Sequence, residues 1–182
     1  MMTTAATIES MKRPLEAAAR TALALNQPAP STTPESRPGL RRGAKSHMVT
    51  PKPAAAAQDP SELRDVQFRV FELAYGAGAT MVYTANTGGP LAQEKFVTII
   101  AQPDLYGNMI VLLKSVTDGA HLDDNPQMRL IDAVDAEADN RGELLFELRG
   151  NTQRSFALYR VARSHAEKLF AGGGGEYGSM SE

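Results

Sequence analysis

The chain has 182 residues, 42% of them hydrophobic, with 19 Lys/Arg against 21 Asp/Glu and no cysteine. That length suits one domain with appendages, and the missing cysteine excludes disulfides, thiolate metal sites and cysteine nucleophiles. Three histidines leave little basis for a zinc site, and no apolar run approaches the ~20 residues that span a bilayer.

The charge is unevenly spread. Residues 1–60 carry eight Lys/Arg and four Asp/Glu, while residues 61–182 carry eleven and seventeen. Composition also breaks near Asp59: Ala, Pro, Thr and basic residues dominate before it, and recurrent apolar runs follow it as far as Phe170. A basic arm of residues 1–58 on an acidic domain of residues 59–171, with a flexible Gly-rich tail at 172–182, is the organisation expected.

In the arm, Ile8, Met11, Leu15, Ala18, Ala19, Ala22 and Leu25 repeat at amphipathic-helix spacing over residues 7–25. Pro14 should kink that helix or mark its first turn. The stripe is thin and rich in Ala, so it forms a helix either transiently or on docking. Thr21–Leu25 is too short for a secretory apolar region. Lys12, Arg13 and Arg20 suit a transit peptide, whereas Glu9 and Glu16 do not. The expectation is a soluble protein that keeps its arm, in the cytoplasm or within an assembled particle.

Residues 27–57 hold prolines at 28, 30, 34, 38, 51 and 53 and should be extended or disordered. They also carry Arg37, Arg41, Arg42 and Lys45. This cluster suits phosphate or acidic partners, or it is a solvated linker. No aromatic residue is interleaved, so base stacking by this segment is not implied.

Asp59-Pro60-Ser61-Glu62 reads as a capped helix start. Leu63, Val66, Val70, Phe71 and Ala74 follow at helical spacing, and Gly76 and Gly78 stop the element, predicting a helix over 60–75. Strands are expected at 80–84, 95–101 and 109–116, the last two joined by the turn cluster 103–108. A second hairpin is expected from 128–136 and 143–149. Residues 128–134 also fit a helix capped by Asp124 or Asn125, but Leu144-Leu145-Phe146 needs a nearby strand partner. Thr152 then caps a last helix whose face is Phe156, Tyr159, Ala162, Ala166 and Phe170, ended by Gly172–Gly175.

The implied fold is α+β: an antiparallel meander of about five strands with two helices packed on one face. Phe71, Phe96, Ile99, Leu112, Phe146 and Phe156 are the core candidates.

Chemistry is sparse. His121, Asp123, Asp124, Asp132, Asp135, Glu137 and Asp139 form an acidic stretch whose spacing fits no EF-hand loop. Gly76–Gly78 and Gly88–Gly89 lack the strand-before, helix-after setting of a phosphate loop. Ser155 and His165, ten residues apart on the predicted last helix, cannot meet. Arg149, Arg154, Tyr159, Arg160 and Arg163 lie on or beside that helix. No catalytic, cofactor-binding or metal-ligating residues are assigned, and no enzyme activity is expected.

The reading that best uses the arm is a non-enzymatic structural or interaction subunit of a larger assembly, such as a virion or secretion-type particle. Its partners would be protein subunits in a homo- or hetero-oligomer, met by Ile8, Met11, Leu15, Arg37, Arg41, Arg42 and Lys45. The alternative is a nucleic-acid-binding protein using the arm and a sheet face of Tyr83, Phe96 and Thr98. A third reading is a small-ligand binder or enzyme with a pocket under the sheet, lined by perturbed titratable groups.

Overall fold

A computed structural model describes residues 5–25 and 62–177. One helix, α1 (Ala5–Leu25), precedes eight strands: β1 (Arg64–Glu72), β2 (Ala79–Asn86), β3 (Lys95–Pro103), β4 (Met109–Asp118), β5 (Gln127–Val134), β6 (Glu143–Arg149), β7 (Gln153–Val161) and β8 (Ala166–Glu176). A short 3-10 turn, Leu91–Gln93, interrupts the β2–β3 connection. The strands form two antiparallel four-stranded sheets in strict chain order, β1-β2-β3-β4 (sheet A) and β5-β6-β7-β8 (sheet B).

This corrects the α+β expectation. The protein is mostly β, with two sheets in place of one sheet of about five strands, and with neither domain helix. The predicted helix over 60–75 is β1 and its turn, the proposed cap at Asp59-Pro60-Ser61 lying outside the described residues. Phe68 and Val70 pair with Tyr83 and Met81, while Arg69 and Phe71 pair with Val82 and Thr80 on the opposite face. Period-two placement on the two faces of sheet A is what a strand supplies and a helix does not. The predicted last helix is the β7–β8 hairpin. Its turn closes through Ala162 N–H donating to His165 O at 2.9 Å, without the Gly or Pro that usually announces a turn.

Gly172–Gly175 lie inside β8. Gly174 sits at φ +90°, and a Cβ there would lie 2.1 Å from Arg154 O, so only glycine fits. The register shifts between Arg154 and Phe156 at this point, as a β-bulge requires.

The layers run α1, sheet A, sheet B. Leu15, Ala19, Ala22 and Leu23 of α1 pack on Met81, Tyr83, Ala85, Val97, Ile99 and Ala101. From the other face of sheet A, Val82 and Ile100 meet Met128, Leu130, Leu144, Phe146, Ala157 and Tyr159 of sheet B. Both faces of β3 are therefore covered, which is why residues 96–101 are buried without a break. Phe146 and Tyr159 meet edge-to-face, with centroids 5.6 Å apart. Thr98 Oγ1 donates to Met128 O at 2.9 Å, joining the sheets through their one shared interior.

The helix runs unbroken through Pro14, which lies on its exposed side. Of the core candidates, Phe96, Ile99, Leu112 and Phe146 are buried and Phe71 is partly buried against the inter-sheet core. Phe156 is half-buried on the opposite, outer face of sheet B.

Candidate interaction surface

Sheet A is covered on both faces. Sheet B packs on sheet A through its inner face only, and α1 meets β2, β3 and β4. Among the described residues, no helix or strand packs across the outer face of sheet B. That face is charged at both ends but carries an apolar row between them, which a solvated antiparallel face does not need.

Cross-strand pairing orders its side chains into rows. At one end, Gln127, Arg149 and Arg154 are paired in turn across β5, β6 and β7. The next row is Arg129, Glu147 and Phe156. The third is Asp132, Leu145, Leu158 and Phe170. At the far end Val134 pairs with Glu143, and Arg160 with Glu167.

The first two rows are basic. Three arginines surround one buried carboxylate: Arg129, Arg149 and Arg154 approach Glu147 at 3.7, 3.8 and 3.8 Å. Arg149 Nε also donates to Tyr177 Oη at 3.3 Å, and this bond holds the Arg149 proton more tightly than usual. The far end is acidic. Glu143 is fully buried and accepts from Arg160 Nη2 at 3.0 Å and from Ala136 N–H at 3.0 Å. Glu137 and Asp139 complete the ring around Arg160. Hydrogen bonds to Glu137 and Glu143 push the Arg160 guanidinium pKa up, so it stays charged and fully engaged.

Between the two ends lies an apolar band. Leu145, Phe156 and Leu158 are half-buried, and Phe170 is 51% exposed. Val134, beside Glu143 at the acidic end, is exposed as well. None of these residues belongs to either core.

The residues singled out from sequence are scattered by comparison. Ile8 is exposed, Met11 is half-buried against the sheet A core, and Leu15 is completely buried beneath its own helix. Arg37, Arg41, Arg42 and Lys45 lie outside the described residues. Tyr83, Phe96 and Thr98 are all buried, because they sit on central strands covered from both sides, and so present no open sheet face. Tyr83 lies under α1, where burial, with a smaller push from Glu16, drives its hydroxyl pKa up to about 12. Its Oη has no hydrogen-bond partner among the described residues.

The acidic stretch is spent on local structure. Asp118 accepts from Ala120 N–H and pairs with His121 Nδ1 at 2.7 Å, and that bond lowers its pKa. Asp123 accepts from Asn151 N–H, Asp132 from Arg69, and Asp135 from the Asp139 and Asn140 amides. No cluster of three metal-ligating side chains occurs among the described residues. Ser155 sits on β7 and His165 in the β7–β8 turn, where its ring meets Ser164 Oγ at 3.3 Å.

An inter-sheet cleft of about 490 Å³ opens where β1 and the β2–β3 connection face β5 and β6. Asp65 and Glu94 line one wall, Arg129 and Arg149 the other. Asp65 stands at φ +47° and accepts from Asn86 Nδ2 at 2.9 Å. Burial first, then the neighbouring Asp65 charge, raises the Glu94 pKa. The cleft pairs neither carboxylate with a nucleophile.

The outer face of sheet B escaped the sequence because its β7 and β8 residues, Phe156 and Phe170 among them, fit a helix face, although β5 and β6 read as strands. The usable signal was period two: Arg154, Phe156, Leu158 and Arg160 alternate with Ser155, Ala157, Tyr159 and Val161.

No protein-family model, curated protein or solved structure matches this chain. No helix among the described residues is long and apolar enough to cross a membrane.

Proposed function

We propose that this protein is a non-enzymatic interaction subunit that associates with a second copy of itself through the outer face of sheet B. The observation that carries the reading is the uncovered apolar band flanked by opposite charges. Three arginines around one carboxylate stand at one end; at the other, Glu137, Asp139 and Glu143 surround Arg160, with Glu167 as its cross-strand neighbour. A two-fold axis through Leu145 and Leu158 lays each basic end over the other copy's acidic end. The same rotation buries both bands against each other, as an isologous interface requires.

Size sets the strength. Four strands spaced ~4.8 Å, each ~8 residues long, give a face of ~19 by ~27 Å. That is ~500 Å² of footprint per copy, or ~1,000 Å² in all, at the lower bound for a specific interface. An interface at that bound marks a weak, reversible dimer.

The decisive measurement is the mass of the full chain by sedimentation across concentration, with and without nuclease. A dimer is expected, lost in Phe170→Glu and weakened in the Arg129→Glu/Arg154→Glu pair. Adding Glu137→Arg/Glu167→Arg to the charge-reversed pair should restore it. A monomer at every concentration would overturn the reading. A large species that collapses with nuclease would replace it with phosphate binding by the arginines and the arm.

A further inference from the structure

At the end of the molecule opposite the Asp65/Glu94 cleft, a second cleft of about 540 Å³ opens between the sheets. It is bounded by the β1–β2 turn, the end of β3, the β5–β6 loop and the β7–β8 turn. Its ionisable lining consists of Arg141, Arg160, Arg163 and Tyr75, without a carboxylate. Composition does not explain this, since residues 61–182 hold seventeen acidic residues against eleven basic ones.

The three arginines differ. Arg160 is neutralised by Glu137, Asp139 and Glu143. The guanidinium groups of Arg141 and Arg163 have no ion pair or hydrogen bond among the described residues. Their backbones are nevertheless fixed. Arg141 N–H donates to Asp139 Oδ1 at 3.0 Å, and the adjacent Gly142 N–H donates to Leu73 O across the cleft. Arg163 sits in the turn closed by Ala162 and His165. Beside the carboxylates that hold Arg160, these two guanidinium groups keep their forks unused at one concavity, where each can grip an anion's oxygens directly.

The cleft also has an apolar side. Leu73, Val161 and Ala162 form part of its wall, and Tyr75, completely exposed, stands in the lining with its ring uncovered. A lone phosphate would satisfy the arginines and leave this wall and most of the volume unused. A planar ring system joined to phosphate uses both.

We infer that this cleft binds a nucleoside phosphate. The phosphates are taken by the forks of Arg141 and Arg163 in charge-assisted hydrogen bonds. The base packs against Tyr75 and the Leu73–Val161 wall. The volume lies within the usual range for small-molecule sites of ~300–1,000 Å³. This site adjoins the acidic end of sheet B and shares Arg160 with it, but its anion ligands Arg141 and Arg163 take no part in the self-association reading, so the two are tested separately.

The test is calorimetric titration of the full chain with ADP, inorganic phosphate and adenosine, repeated on the Phe170→Glu variant. ADP should bind at least ~10-fold more tightly than either fragment, with an affinity that falls as salt rises. Arg141→Gln/Arg163→Gln should weaken ADP by ~10-fold or more while leaving adenosine unchanged. Tyr75→Ala should weaken ADP and adenosine together and spare phosphate. Both arginines and Tyr75 are exposed, so these variants are expected to melt like the parent. No heat with ADP at millimolar concentration overturns the inference, as does ADP binding that survives the double arginine variant. Phosphate binding as tightly as ADP would reduce the site to an anion hole and refute the nucleoside part.

Discussion

Leu15 decides whether α1 is a layer of the fold or a detachable arm. Its side chain is fully buried between the helix and sheet A. Leu15→Ala removes three carbons, about 2.4 kcal/mol of transfer free energy at ~0.8 kcal/mol each. The cavity left above Tyr83 and Ile99 brings the total to ~3–5 kcal/mol. Against a total stability of ~5–15 kcal/mol this is a large fraction. For a domain of this size it lowers Tm by ~10–20 °C. Urea melts followed by far-ultraviolet dichroism, which reads the helix, and by tyrosine emission, which reads the sheets, should both shift. If the helix undocks by itself, the dichroism falls first and amide exchange in residues 5–25 rises ahead of the sheets. Ile8→Ala, on the same helix but exposed, is the control and should stay within ~0.5 kcal/mol. Equal costs at the two positions, or a Leu15→Ala cost under ~0.5 kcal/mol, would refute the packing of α1 on sheet A.

Three further outcomes follow from buried or crowded groups. Tyr83→Phe removes a buried hydroxyl that has no partner among the described residues, so thermal melts should show it neutral or up to ~1 kcal/mol more stable; a clear loss would mean that the hydroxyl is bonded in solution. Glu94 has a raised pKa, so the folded state takes up its proton before the unfolded state and the charged form destabilises the fold at neutral pH. Glu94→Gln should therefore raise Tm at pH 7, with the gain shrinking as pH falls and vanishing below about pH 4; a pH-independent gain would contradict the burial of that carboxyl. A Cβ at Gly119 would lie 1.6 Å from Leu91 O, so Gly119→Ala must displace the 3-10 turn and should cost more than ~2 kcal/mol in denaturant melts; a change within ~0.5 kcal/mol would disprove that approach.

Five strands were legible because their residues signal in more than one way. β3 and β4 combine β-branched runs with the Pro103–Asn108 turn, whose Asp104 accepts both the Tyr106 and Asn108 amides. β6 needed a partner, and β5 pairs with it from Gln127 to Val134. β1 was misread because Leu63, Val66, Val70 and Phe71 happen to fall at helical spacing behind a capping sequence. The competing signal, Phe68 and Val70 alternating with Gln67 and Arg69, was the correct one. β7 carries apolar residues on both faces, Ala157, Tyr159 and Val161 inward and Phe156 and Leu158 outward. Two apolar faces erase the period-two contrast and mimic a wide helical stripe. That same feature gives the outer face of sheet B its apolar row, so the misreading and the missed apolar face have one cause. The amphipathic stripe of α1 was legible, but what it packs against was not. Spacing identifies an apolar face; only the fold says that the face meets its own sheet.

The strictly sequential strand order has a kinetic consequence. Every hydrogen-bonded strand pair joins neighbours in the chain, so each pairing closes only a short loop and pays little closure entropy. Most all-β proteins fold slowly because their pairings are non-local. Here each four-stranded meander can zip from its own hairpins, the two in parallel. The distant encounters left are sheet A with sheet B and α1 with sheet A, so the transition state for folding should lie in those dockings. Conservative truncations at Val82, Ile100 and Phe146 would then slow folding, whereas those in the hairpin turns would mainly shift the collapsed ensemble that precedes it.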